Sequence, residues 1–358
     1  MRKLASIRRI KDINPIVGAD KIELCAVDGW KVVVAKDVNH KIGDLVIYCE
    51  VDSFLPIREE FEFLRKSSYK KMADGSGGFR LRTIRLKGQI SQGLILPLTI
   101  LEGEDEMKIG VSSQPWGDQL QLGPYDDALV IEEGVDVTEL LGIVKYEPPI
   151  PAELSGVVKG NFPSYLVKSD ETRIQNLSDN YELLRKDKYY VTEKLDGSST
   201  TYYINNGEFG VCSRNLDLER SETNSMWKFA INNDIENKLR LLNRNIAIQG
   251  EIIGEGIQGN PYKIIGQKVH FFNVFDIDNH QRVELSEFIE ILNKLELKHV
   301  PILEMDFELP DTVDDLLLYA DGKSVLNNNT IREGVVIRTD DNKVSFKAIS
   351  NQFLLVEG

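Results

Sequence analysis

Two lysines and three carboxylates in the second half of the chain have types and settings suited to chemistry on phosphorus. Lys194 stands in Glu193-Lys194-Leu195-Asp196-Gly197-Ser198-Ser199, directly after Tyr189-Tyr190-Val191-Thr192. The β-branched and aromatic run reads as a strand, and Asp-Gly lets the chain turn after it. A lysine held at a strand end, two residues before an aspartate, can act as a nucleophile, although the short pattern alone also fits a solvated turn. Glu251 lies in Gln249-Gly250-Glu251-Ile252-Ile253-Gly254, and Glu333 in Arg332-Glu333-Gly334-Val335-Val336-Ile337-Arg338. Acids in such apolar strands are costly to desolvate unless paired or ligating a metal, so each asks for a cation. A structural ion pair would satisfy either acid singly. Together with Lys194, and with Lys347 in Ser345-Phe346-Lys347, they fit a phosphate-handling site better than two unrelated pairs.

The elements around these residues mix strands and helices. Asn205-Asn206-Gly207 predicts a hairpin between the strand after Lys194 and Phe209-Gly210-Val211-Cys212-Ser213. A helix is expected from about Thr223, with Trp227, Ile231, Ile235 and Leu239 spaced by four as a core stripe. Residues 246–253 and 269–277 read as buried strands. Leu285, Phe288, Ile289, Leu292 and Leu295 mark a second helix, and Thr312-Val313-Asp314-Asp315 opens a third with a capping pattern. Strands and helices do not alternate strictly, which predicts an α+β domain of packed antiparallel sheets.

The first hundred residues differ. Short strand-like runs at 6–10, 22–27, 31–35, 45–51 and 79–86 are separated by turn signals, and 90–97 would close them into an all-β, OB-like Greek-key barrel. Tyr146-Glu147-Pro148-Pro149-Ile150-Pro151 reads as an extended linker. The expected domains are therefore 1–147, with an acidic insertion at about 102–142 that ends in a helical-looking 137–142, and 148–358.

Net charge is −14, which by itself argues against nucleic acid as a partner. The charge is uneven, however. Arg65, Lys66, Lys70, Lys71, Arg80, Arg82, Arg85 and Lys87 face only Asp74 within 65–89, whereas 102–142 holds eleven acids against Lys108. The basic run, centred on Arg80, Arg82 and Arg85, is either a solvated hairpin or a surface that tracks phosphates. Three dispersed cysteines and four scattered histidines give no metal-ligand spacing and no Cys/His nucleophile pair. No apolar signal core opens the sequence, and no run reaches the length of a membrane span. These features predict a cytoplasmic (or, in a eukaryote, nuclear) protein that is not secreted.

In order, Lys194-Leu195-Asp196-Gly197, Ser213-Arg214-Asn215, Gly250-Glu251, the 272–276 stretch, Glu333-Gly334 and Phe346-Lys347 resemble the motifs of covalent nucleotidyltransferases, namely ATP-dependent DNA and RNA ligases and RNA capping enzymes. In DNA ligases and capping enzymes an OB barrel follows the last motif; here the barrel-like segment comes first, and eleven residues follow Lys347. That order looks like the fifth family of ATP-dependent RNA ligases. Ala19-Asp20-Lys21-Ile22, Lys168-Ser169-Asp170-Glu171-Thr172-Arg173-Ile174-Gln175-Asn176 and Lys347-Ala348-Ile349-Ser350 are also similar to that family.

The resemblance implies an ATP-dependent RNA ligase that joins 3′-OH and 5′-phosphate ends through lysyl-AMP at Lys194, with ATP and Mg²⁺ or Mn²⁺ as cofactors. Nicked duplex RNA or an RNA-containing duplex is the expected partner, and the protein is expected to be monomeric and to serve RNA repair. By resemblance, Asp196, Glu251 and Glu333 hold the metal through water, and Lys347 contacts the α-phosphate. Glu193, Ser199, Arg214 and Glu251 line the nucleotide, with Phe275 or else Phe272 stacked on adenine. Lys194 must lose its proton to act, so the resemblance also implies that Lys347 or the metal lowers its pKa. The family's late motif usually reads Lys-x-Lys; here its first lysine is Ser345, with Lys343 two residues earlier. The competing readings are another covalent nucleotidyltransferase, such as a DNA ligase or GTP-using capping enzyme, or an OB-containing nucleic-acid binder whose catalytic domain is dead.

Overall fold

The computed structural model describes residues 3–72, 75–102, 109–114, 117–122, 129–146 and 157–357. The chain forms two compact units, Met1–Pro149 with Leu354–Gly358, and Ile150–Phe353. Most of the proline-rich stretch read as a linker, 147–151, lies outside the described residues.

In the first unit a five-stranded antiparallel sheet runs in the order Leu94–Leu96, Leu45–Cys49, Ala5–Pro15, Ile22–Val27, Trp30–Ala35. Val33 N–H at its far edge donates to Ser91 Oγ at 3.0 Å, bringing the last strand back toward the hairpin that precedes the first and nearly closing the barrel. Trp30, Val32, Val46, Tyr48 and Ile95 fill one core. The expected single strand at 79–86 is instead two. Gly77–Arg80 joins a four-stranded sheet, while among the described strands Thr83–Leu86 pairs only with Gln89–Gln92. Between them Leu81 turns inward, its N–H donating to Ser53 O at 2.9 Å and its C=O accepting from Asp52 N–H at 2.9 Å.

The acidic insertion is not a surface appendage. Its described parts form a three-stranded antiparallel sheet, Ile109–Gln114, Gly117–Leu122 and Leu129–Val130. Leu122, Ile131, Val137 and Leu141 enter a core with Leu4, Ile7, Phe61 and Phe79. The helical-looking segment at 137–142 is a turn, closed by Gly142 N–H to Glu139 O at 2.9 Å.

The second unit contains two antiparallel sheets. Seven strands run in the order Val158–Asn161, Leu216–Leu218, Glu208–Cys212, Ser198–Asn205, Ile246–Gly254, Gln267–Asp276, Gln281–Arg282. Five run Thr172–Arg173, Ser345–Ile349, Gly334–Arg338, Tyr189–Lys194, Ile302–Phe307, with only the first pair parallel. The 205–208 hairpin forms as its Asn-Gly predicts, both turn residues having positive φ. Thr312 caps helix Val313–Ala320, whose apolar side packs on the five-stranded sheet. The single helix expected after Thr223 breaks in two, Ser225–Asn232 and Ile235–Arg240. Asp234 between them takes φ 52°, a left-handed conformation that Asn and Asp adopt more readily than most residues. Trp227, Ile235 and Leu239 still reach the core, and Ile231 is left largely outside.

Candidate active site

Lys194 is the last residue of its strand and faces Gly334 across the sheet. Its Nζ lies 2.6 Å from the Glu333 carboxylate, with the lysine side chain 26% and the glutamate 16% exposed. Gly197 allows the next turn to press against the neighbouring sheet. A Cβ there would collide with Ile252 O and sit 2.9 Å from Glu251 Cγ, so any side chain would push Glu251 away. Gly197 N–H also donates to the Glu251 carboxylate. Asp196 N–H donates to Tyr262 Oη at 2.6 Å, which pins the turn from the other side. Lys194 with Asp196, Glu251 and Glu333, three segments far apart in sequence, thus converge.

Three carboxylates surround one ammonium. Burial works to lower the Lys194 pKa, but Glu333 first, then Glu251 and Asp196, outweigh it, and the net shift is upward. The expected lowering is not what this chain's residues produce: they hold the lysine protonated. Glu251 is pushed up to about 7, chiefly by desolvation and further by Glu333, against the pull of Lys194. The excess of hard oxygen donors over positive charge suits a divalent cation such as Mg²⁺ or Mn²⁺. Among the described residues no three acidic, histidine or cysteine side chains stand close enough to form a ready metal cage. Few direct protein ligands, with water completing the shell, is the arrangement magnesium favours.

Lys347 lies on the same face as Lys194. In register, Lys194 opposes Gly334 and then Ile349, while Thr192 opposes Val336 and then Lys347. Two strand spacings, ~10 Å, separate their backbones across the sheet. Ser199 sits directly opposite Glu251 on the adjoining strand, its Oγ 3.4 Å from Ser169 Oγ. Arg214 pairs with Asp170 at 2.6 Å and attracts Glu251. Strand alternation turns Glu193 the other way. Its buried carboxylate accepts from Val325 N–H at 2.8 Å, so it anchors a loop instead of lining the lysine's face. Phe275 is 2% exposed in a cluster with Leu166, Tyr203 and Ala247, leaving no open ring face. Phe272 is half-buried and packs with Leu195 and Tyr262, next to the nucleophile.

Sequence reading missed Tyr262, for which no signal existed, and the ion cluster of Glu171, Arg282 and Arg338. Arg338 lies 2.9 Å and Arg282 3.2 Å from Glu171 Oε1. The clue was the pair of cations at strand ends around an acid in the 168–176 segment. Lys343 stands on an exposed turn, 82% exposed and paired with Asp341.

In the first unit Arg80 is partly withdrawn, its guanidinium 4.5 Å from the Tyr146 ring centroid and 3.4 Å from Asp52. Arg82 is half-buried, and Arg85 is exposed. Lys66, Lys70, Lys71 and Lys87 are exposed as well. Arg65 lies over the rings of Tyr69 and Phe79, at 5.2 and 5.4 Å.

Comparison with known proteins agrees with both units. A family model described as RNA ligase matches residues 187–349, and one described as an OB-fold domain matches 4–98. A variant of the Naegleria gruberi RNA ligase solved without ligand is 42% identical, covering 99% of this chain and 97% of that one, with a TM-score of 0.86. This chain belongs to the RNA ligase family. Another variant of the Naegleria ligase, solved with ATP and Mn, is 43% identical over 99% of this chain and 98% of its own, with a TM-score of 0.85. A third, with AMP and Mn, is 42% identical with a TM-score of 0.86, over 99% and 98% of the two chains. No curated protein sequence gives a match. The RNA ligase therefore pairs an N-terminal OB-fold unit with a C-terminal ligase unit of packed antiparallel sheets, as its motif order implied. None of its described helices is long and apolar enough to cross a membrane.

Proposed function

We propose that this RNA ligase uses ATP to join 3′-OH and 5′-phosphate ends, passing through lysyl-AMP at Lys194, and that it seals nicks in duplex RNA or RNA-containing duplexes. The observation that carries the proposal is the Lys194–Glu333 pair at 2.6 Å, set among Glu251 and Asp196 on the sheet face that also bears Lys347. The Naegleria relative, solved with ATP and Mn and with AMP and Mn, supports the choice of nucleotide and metal.

Lys194, whose side chain is 26% exposed, gives up its Nζ proton to solvent and attacks the α-phosphorus. The N–P bond forms as the bond to the β-phosphate oxygen breaks, and pyrophosphate leaves with the electron pair. Lys347 offsets charge building on the α-phosphate oxygens. Asp196, Glu251 and Glu333 would hold a divalent cation, which supplies positive charge that weakens the carboxylates' grip on the ammonium. Arg214 contacts the ribose, and Phe272, the half-open ring beside Leu195, takes the base in place of Phe275. AMP then passes to the RNA 5′-phosphate, and the 3′-OH displaces it. Arg85, expected in this role with Arg80 and Arg82, follows the RNA backbone together with the exposed Lys70, Lys71 and Lys87.

Incubation with α-labelled ATP and Mn²⁺ or Mg²⁺, then denaturation, is expected to leave labelled protein. Absence of an adduct, or an undiminished adduct in Lys194→Ala, would overturn the mechanism. Sealing of nicked duplexes that differ only in 2′-OH content tests the substrate.

A further inference from the structure

Ser345 stands where the family motif usually places a lysine, and the structure gives that replacement a reason. Tyr190, Arg338 and Ser345 form one row across the five-stranded sheet, four residues along from the row that contains Lys194. Arg338 is 3% exposed on the inner face. Every limb of its guanidinium is engaged: Nε donates to Ser345 Oγ at 3.1 Å, Nη1 to Phe272 O at 2.6 Å and Nη2 to Glu171 Oε1 at 2.9 Å. The guanidinium carbon also lies 6.0 Å from the Phe272 ring centroid. Ser345 completes the circuit by hydrogen-bonding the Glu171 carboxylate, which Arg282 flanks at 3.2 Å. A buried acid shared by two guanidiniums and a hydroxyl is a satisfied network, whereas a third cation inside it would be unpaired.

We propose that Arg338, held by Ser345 and Glu171, is a positioning residue that fixes Phe272 for stacking on the nucleobase, and that position 345 makes no phosphate contact in this chain. The proposal rests on the ATP-dependent reading above. Arg338 grips the backbone carbonyl of Phe272 and approaches its ring, so movement of the guanidinium moves the stacking surface. The same cluster ties down the 168–171 segment, whose Ser169 and Asp170 reach Ser199 and Arg214. One buried fork thus aligns both edges of the nucleotide pocket. An arginine is required, because a lysine at 338 could not hold three divergent partners in one plane.

The test installs the lysine that the motif usually carries. Ser345→Lys sets an ammonium directly opposite Arg338, where like charges repel. The expected result is a KM for ATP in adduct formation raised roughly tenfold, the order that loss of one stacking contact carries, with a smaller change in kcat. Ser345→Thr, which keeps the hydroxyl, should retain the wild-type KM, and Ser345→Ala should fall between. A KM lowered or unchanged in Ser345→Lys would overturn the proposal and return position 345 to the phosphates. Should Ser345→Lys not fold, equal KM values for the Ala and Thr variants would overturn it instead. A wild-type chain that takes no AMP defeats the function itself; a chain that takes AMP but ignores Ser345→Lys defeats only this assignment.

Discussion

In the unit spanning 150–353 the key charges are drawn out of water: Arg338 is 3% exposed, and the Glu171 side chain 7%. In the unit spanning 1–149 the cations of 65–87 stand mostly at the surface, with Lys66, Lys70, Lys71, Arg85 and Lys87 all exposed. The physics of the two arrangements differs. A buried charge meets a low dielectric and a fixed set of partners, so geometry controls its effect. An exposed charge is screened by salt within about 10 Å, so number matters more than placement. Substitutions should therefore be large and specific in the second unit, small and additive in the first.

Lys194→Ala tests the extreme case. It should abolish the labelled adduct, because no other described side chain shares the Lys194–Glu333 geometry. Lys347→Ala should leave a weak adduct, slowed by roughly 10²–10³-fold if it stabilises charge on the α-phosphate. A Lys347→Ala rate near wild type, in a single-turnover measurement, would remove that lysine from the site.

Glu171→Gln comes next and is read as stability. Removing one member of a buried pair strands its partners and typically costs about 3–5 kcal/mol, measured by denaturant unfolding at neutral pH. Arg338 and then Arg282 overcome desolvation to hold the Glu171 carboxyl below the usual range. A depressed folded pKa contributes stability that is full above the unfolded value, ~4.3, and is lost as pH falls through the folded value. The gap between wild type and Glu171→Gln should therefore narrow in acid. A gap that is constant with pH would mean the acid's charge is not what matters.

Much of the site was legible because its residues break local rules. Glu251 and Glu333 announced themselves as acids in apolar strands, and Lys194 as a cation at a strand end before a turn. The fold class followed from periodicity and turn residues, the Asn206-Gly207 hairpin and the Thr312 cap included. What was illegible depended on three-dimensional proximity. The Lys194 charge state is decided by three carboxylates from three segments, Asp196 in a turn, Glu251 within the 246–254 strand and Glu333 just before the 334–338 strand, so sequence distance concealed that they would outvote burial. Phe272 and Phe275 look alike in sequence; a bulge between Gln249 and Gly250 shifts the register beside them, and only the structure shows which ring stays half-open. The arginine strand misled because inward-turning Leu81 divides it.

Lys70→Ala and Lys71→Ala probe the exposed side of the contrast. Each should leave adduct formation intact and reduce the salt dependence of nicked-RNA binding by about one unit of slope, if each meets one phosphate. Binding titrations at several salt concentrations decide it; an unchanged slope would place the RNA elsewhere.

The smallest expected effect is the most discriminating, because it separates exposure from location. Asp170 and Arg214 pair at 2.6 Å within the second unit, yet their side chains are 57% and 44% exposed. If the unit as a whole governed the energetics, Asp170→Asn would resemble Glu171→Gln, its neighbour in sequence. If burial governs, the screened pair should contribute under ~1 kcal/mol, and Asp170→Asn should unfold within that margin of wild type at neutral pH. Two adjacent acids, each paired to arginine, would then differ severalfold for one reason, the water that reaches one and not the other. Equal losses in the same denaturant series would show that the segment is held by something other than its buried charge.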